Sequence, residues 1–146
     1  MTTMQKLLFF LMRIWSFALL STLPVAAFAA RSATEPVLRC FVTYAGSTEV
    51  IETGLSSDPY QIAAQDIQGR FRFKPVMIGE HGRISYIKLY AYFQTSKTDI
   101  PIHQASYFPP FRQSKQAYLL TPHNSLYAGE VERELQYHCT LKNLAS

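Results

Sequence analysis

The chain has almost no tryptophan: Trp15 is the only one, and it lies in an apolar run near the N-terminus. Cysteine is nearly as scarce, with Cys40 and Cys139 alone. None of Ser56, Ser57, Ser106 or Ser125 has a Gly-x-Ser-x-Gly setting, which removes the common nucleophile elbow. No His-x-His or Met-x-Met run occurs, and no two of His81, His103, His123 and His138 stand two or four positions apart. No single strand or helix face therefore preassembles a metal site, and no cofactor is expected. Internal repeats and low-complexity tracts are missing as well.

The first 29 residues read as a cleaved signal peptide. Lys6 and Arg13 supply positive charge, residues 14–23 form an apolar run, and Ala27-Phe28-Ala29 is a small-x-small cleavage site. Arg13 interrupts the apolar tract, so a membrane span is not expected once the segment is removed. Arg39 stands directly before Cys40, where a lipoprotein box needs a small residue. Without Lys6 and Arg13, the 14 basic residues fall to twelve against 10 acidic ones. That balance is no nucleic-acid footprint. The expected compartment is the periplasm or the outside of the cell, where Cys40 and Cys139 pair as a disulfide. Closing so long a loop is worth roughly 4–5 kcal/mol through the unfolded chain.

The remainder divides into a short polar leader (30–36), one domain (37–142) and a tail (143–146). Period-two alternation marks strands at 37–44, with Leu38, Cys40, Val42 and Tyr44 on one face, and at 130–141, with Leu135, Tyr137, Cys139 and Leu141 inward. Further strands are expected at 48–53, 100–108 and 117–120, separated by turn compositions such as Thr121-Pro122-His123-Asn124. Residues 60–66 are ambiguous, since one helical turn there is too short to stand without packing.

The strongest signal is a hairpin over 70–95. Ile87, Leu89, Ala91 and Phe93 alternate with Tyr86, Lys88, Tyr90 and Tyr92, and Phe71 and Phe73 alternate with Arg70, Arg72 and Lys74. A three-residue loop, Glu80-His81-Gly82, would set Arg72 opposite Tyr90, Arg70 opposite Tyr92, Phe73 opposite Leu89 and Phe71 opposite Ala91. Pro75 lacks an amide hydrogen, and the apolar parity changes there to Val76 and Ile78, so it is read as a bulge or an edge position.

About seven strands and no convincing helix point to an all-β chain, a single antiparallel β-sandwich with one disulfide. Tyr137-His138-Cys139 resembles the Tyr-x-Cys of the immunoglobulin tyrosine corner, which implies immunoglobulin-like architecture and no more. A solvated strand face accounts for Glu130, Glu132 and Glu134, and no enzyme is expected. The sharpest functional feature is the face made by Arg70, Arg72, Lys74, Tyr86, Lys88, Tyr90 and Tyr92. Tyrosine and arginine together are the residues of recognition surfaces, so the expected partner is another envelope protein or a glycan. The alternative is a small copper- or zinc-handling protein using some of the four histidines.

Overall fold

The computed structural model describes residues 35–130 and 133–143. The signal-peptide segment, most of the polar leader, and residues 131–132 and 144–146 lie outside the described residues. Among the described residues there are nine strands: β1 (Val37–Tyr44), β2 (Ser47–Thr53), β3 (Gln65–Ile67), β4 (Phe71–Glu80), β5 (Arg83–Gln94), β6 (Asp99–Tyr107), β7 (Ser114–Leu119), β8 (Asn124–Ala128) and β9 (Arg133–Asn143). They form two antiparallel sheets. Sheet I runs β2-β1-β9, with β7 and β8 sharing the far edge of β9, and sheet II is the meander β3-β4-β5-β6.

The two sheets bury a common core. Alternation supplies Leu38, Cys40 and Val42 from β1, and Leu135, Tyr137, Cys139 and Leu141 from β9. Sheet II contributes Ile67, Phe71, Phe73, Met77, Ile87, Leu89 and Ala91. Aromatic contacts cross between the layers: Tyr44 meets Phe71 edge-on at 5.2 Å, and Phe73 meets Tyr137 at 5.0 Å. The described residues therefore form the expected β-sandwich, with nine strands among them rather than about seven. The two additions are β3, whose one apolar side chain gives no period, and β8, which begins inside a turn-like Pro-His-Asn sequence.

Cys40 and Cys139 are bonded, as the sequence implies. They are register partners on neighbouring strands of one sheet, with Cα atoms 4.0 Å apart. The immunoglobulin bridge joins opposite sheets instead, and its corner tyrosine bonds to nearby backbone. Here the Tyr137 hydroxyl lies 2.7 Å from Nε2 of His103, on β6 in the other sheet. The likeness to that fold ends at the two-layer arrangement.

The central hairpin differs from expectation in phase but not in parity. Its loop has two residues, His81 and Gly82, both left-handed (φ 52° and 73°), with Glu80 opposite Arg83. Such a primed turn matches the twist of its strands. A bulge between Ile78 and Gly79 then shifts the ladder again. The two one-residue displacements add, so Arg72 faces Tyr92, Lys74 faces Tyr90, Phe71 faces Phe93 and Phe73 faces Ala91. Every side chain keeps its side of the sheet and changes its partner.

No bulge occurs at Pro75, which pairs in register with Leu89 and points inward between Phe73 and Met77. Its missing amide hydrogen is harmless for a local reason. β3 begins with Gln65 opposite Phe73, and past that pair Ser56 takes over the same edge of β4, its amide donating to the Met77 carbonyl and its carbonyl accepting from the Gly79 amide. Pro75 falls in the gap between them, where its carbonyl accepts from the Thr53 hydroxyl at 3.4 Å. Val76 and Ile78 lie on the opposite side of β4, so the change of parity read at Pro75 is not a change of strand face.

Gly79 is the tightest point of this hairpin. A Cβ there would collide with the backbone carbonyl of Arg83. Gly79→Ala is expected to cost about 2 kcal/mol or more, because backbone must move to admit the methyl. Gly46→Ala, in open space, carries only the left-handed penalty of about 1 kcal/mol. Urea denaturation of the two variants checks the ranking, and equal losses would contradict it.

Candidate functional site

β5 is an inner strand of sheet II, flanked by β4 and β6. Its outward positions carry Tyr86, Lys88, Tyr90 and Tyr92, all part-exposed. On β4 the same face holds exposed Arg72 and part-exposed Lys74, opposite Tyr92 and Tyr90. On β6, Ser106 stands opposite Lys88 and Gln104 opposite Tyr90. Six of the seven residues singled out from the sequence thus share one surface. Arg70 lies just before β4, in the turn that follows β3, where its backbone carbonyl accepts from Gln94. It is an exposed neighbour of the row rather than a strand member.

Tyr90 and Tyr92 project two positions apart, with ring centroids 6.4 Å apart and planes only 19° from parallel. The Lys88 ammonium lies 5.3 Å from the centre of the Tyr86 ring, a cation–π arrangement. At one end, Arg72 Nε meets Asp99 Oδ2 at 3.4 Å. Asp66 accepts from the Gly69 amide and from Gln94, and these bonds, then the nearby Arg72, hold its carboxyl below the ordinary range. Burial, then Tyr90 and Asp99, push the Tyr92 hydroxyl up. The face is therefore graded: one end has Arg72 among carboxylates, and the other has Lys74 and Lys88 beside tyrosine rings. Gln104, Ser106, Asp66 and Asp99 escaped the sequence reading. A strand over 100–108 is legible, but its register against β5, which slips between Ala91 and Tyr92, is not.

The histidines separate into three places. His81 caps the β4–β5 turn and is exposed. His103 points inward from β6 to Tyr137. His123 and His138 come together on the outer face of sheet I, with ring centroids 4.2 Å apart, and His138 stacks on Phe41 at 4.8 Å and 11°. Among the described residues no group of three or more His, Cys, Asp or Glu is disposed to hold a metal ion. The glutamate row is not one strand face: Glu130 lies in the turn after β8, residue 132 is outside the described residues, and Glu134 is on β9. Glu134 accepts from Gln136 and Tyr127, and the bonds from Gln136, Ser125 and Tyr127 lower its carboxyl pKa.

The His103–Tyr137 bond spans the sandwich. Burial holds the His103 imidazole below its ordinary 6.5 and pushes the Tyr137 hydroxyl up, so both groups are uncharged near neutrality. Folded His103 takes its proton at lower pH than the unfolded chain does. Between those two values the unfolded state binds more protons, and stability falls as pH drops. Above the ordinary value this contribution is flat. Burial, then His123, acts on His138 in the same direction. The melting temperature is thus expected to decline from about pH 6.5 downward, before the carboxylates titrate, and His103→Gln should shallow that slope. A flat profile through this window in the parent protein would contradict the assignment.

No family model matches the chain, and neither a curated protein nor a solved structure matches it.

Proposed function

We propose that the protein is a non-catalytic binding or accessory module of the bacterial cell envelope, exported by its N-terminal segment, with the outer face of sheet II as its recognition surface. The observation that carries this reading is the composition of one inner strand. Four successive outward positions of β5 hold Tyr86, Lys88, Tyr90 and Tyr92, where threonine, serine or glutamate would have served the sheet equally well. Large rings with two or fewer free side-chain torsions lose little entropy on docking, and cations among them add directional contacts. The nearly parallel Tyr90 and Tyr92 rings suit stacking on a sugar ring or on a planar side chain of a partner protein. The disulfide agrees with an oxidising compartment, and the segment before the domain supplies the export signal.

Two measurements test this. Mass spectrometry of the exported protein is expected to find a mature start at Ala30, and an intact Met1 would remove the export reading. Arg72→Ala and Tyr90→Ala are expected to leave the melting temperature nearly unchanged while weakening capture of the native periplasmic partner about tenfold or more. Variants that melt much lower and still bind normally would make the face structural.

A further inference from the structure

We propose that sheet I carries a second, independent ligand site: His123 and His138 form a two-imidazole docking point for a divalent transition-metal ion, copper(II) foremost. The pair arises from strand pairing. Asn124 opens β8 opposite Tyr137, and the residue just before the strand, His123, lies against His138 on the outward side of β9. Directly opposed side chains on neighbouring antiparallel strands are close enough for both to reach one ion. Two imidazole nitrogens held about 2 Å from a shared ion, at a right-angle or tetrahedral bite, place their ring centroids roughly 4.5–5 Å apart. The rings stand 4.2 Å apart at 35°, in face contact, so binding requires the exposed His123 ring to swing from the face of His138 toward its nitrogen edge.

The backbone on the His123 side is held in advance. The Pro122 carbonyl accepts from the Thr121 hydroxyl at 2.9 Å and from the Asn124 side chain at 2.8 Å. The Thr121 hydroxyl oxygen also accepts from the Cys139 amide at 2.9 Å, which ties this corner to β9 beside the disulfide. Pro122 fixes its own φ. On the other side, His138 lies flat on Phe41. The backbone beside His123 and the ring of His138 are thus held before any ion arrives, which is the preorganisation that scattered surface histidines lack.

Two protein ligands leave the other positions of the ion to water or to an incoming group. Imidazole suits copper, nickel and zinc, and among divalent first-row ions copper(II) binds a given nitrogen site most tightly. With only two ligands the site is a micromolar one, open to exchange, and not a buried structural centre. It lies on the opposite sheet from the Arg–Tyr face, so either site stands or falls alone.

Copper(II) titration of the purified protein, followed by electron paramagnetic resonance and by NMR line broadening, tests the proposal. The expected result is one ion with two imidazole nitrogens in its spectrum and broadening centred on His123, His138 and Phe41. His123→Ala, at an exposed position, should keep the parent melting temperature and weaken binding about tenfold or more, as should His138→Ala, whereas His81→Ala should not. Binding unchanged in His123→Ala, broadening centred elsewhere, or no saturation by about millimolar copper would overturn it.

Discussion

The pairing of β1 with β9 is the constraint on which this structure depends. It brings the two ends of the domain into neighbouring positions at the middle of sheet I, with eight register pairs from Val37–Lys142 to Tyr44–Leu135. Contacts this distant in sequence carry a high loop-closure cost before they return any burial. The Cys40–Cys139 bond, spanning 99 residues, removes much of that cost from the unfolded chain. Sheet II is built differently, as a meander of sequential neighbours joined by short turns. One half of the sandwich is thus specified locally, and the other is closed by the ends.

This division explains how far the sequence could be read. β1, β9 and the β4–β5 hairpin announce themselves, because half-buried strands with one wet face must alternate. The phase of the hairpin did not, since a turn one residue shorter and a bulge one residue later are both compatible with the same alternation. Their sum preserves parity, which is why six of the seven residues lie on one side of the sheet although their cross-strand partners differ from those expected. Pro75 misled because apolar Val76 and Ile78 lie on the outer side of β4, whereas Pro75 and Met77 continue the inward row. β3 could not be seen: with Ile67 its only buried side chain, pairing with β4 decides its conformation.

The histidines make the same point at the level of chemistry. No short spacing joins His123 to His138, and only recognition of β8 as a strand would have set them opposite each other. His103 reads in sequence as one more polar residue on a strand, yet it bridges the two sheets through Tyr137. The outward Phe41 under His138 breaks the simple rule of polar outside and apolar inside. Of these departures, His103 lies between the sheets, whereas Phe41, His123 and His138 lie on an outer face, where the fold itself asks for little.

Closure of β1 on β9 through the disulfide holds both sheets together as one cooperative unit. Hydrogen exchange of the oxidised protein against a Cys40→Ala/Cys139→Ala variant tests it most directly. The most protected amides are expected to lose about 4 kcal/mol, in β4 and β5 of sheet II as well as in β1 and β9. Full protection of β4 and β5 in the variant, with exchange confined to sheet I, would contradict it.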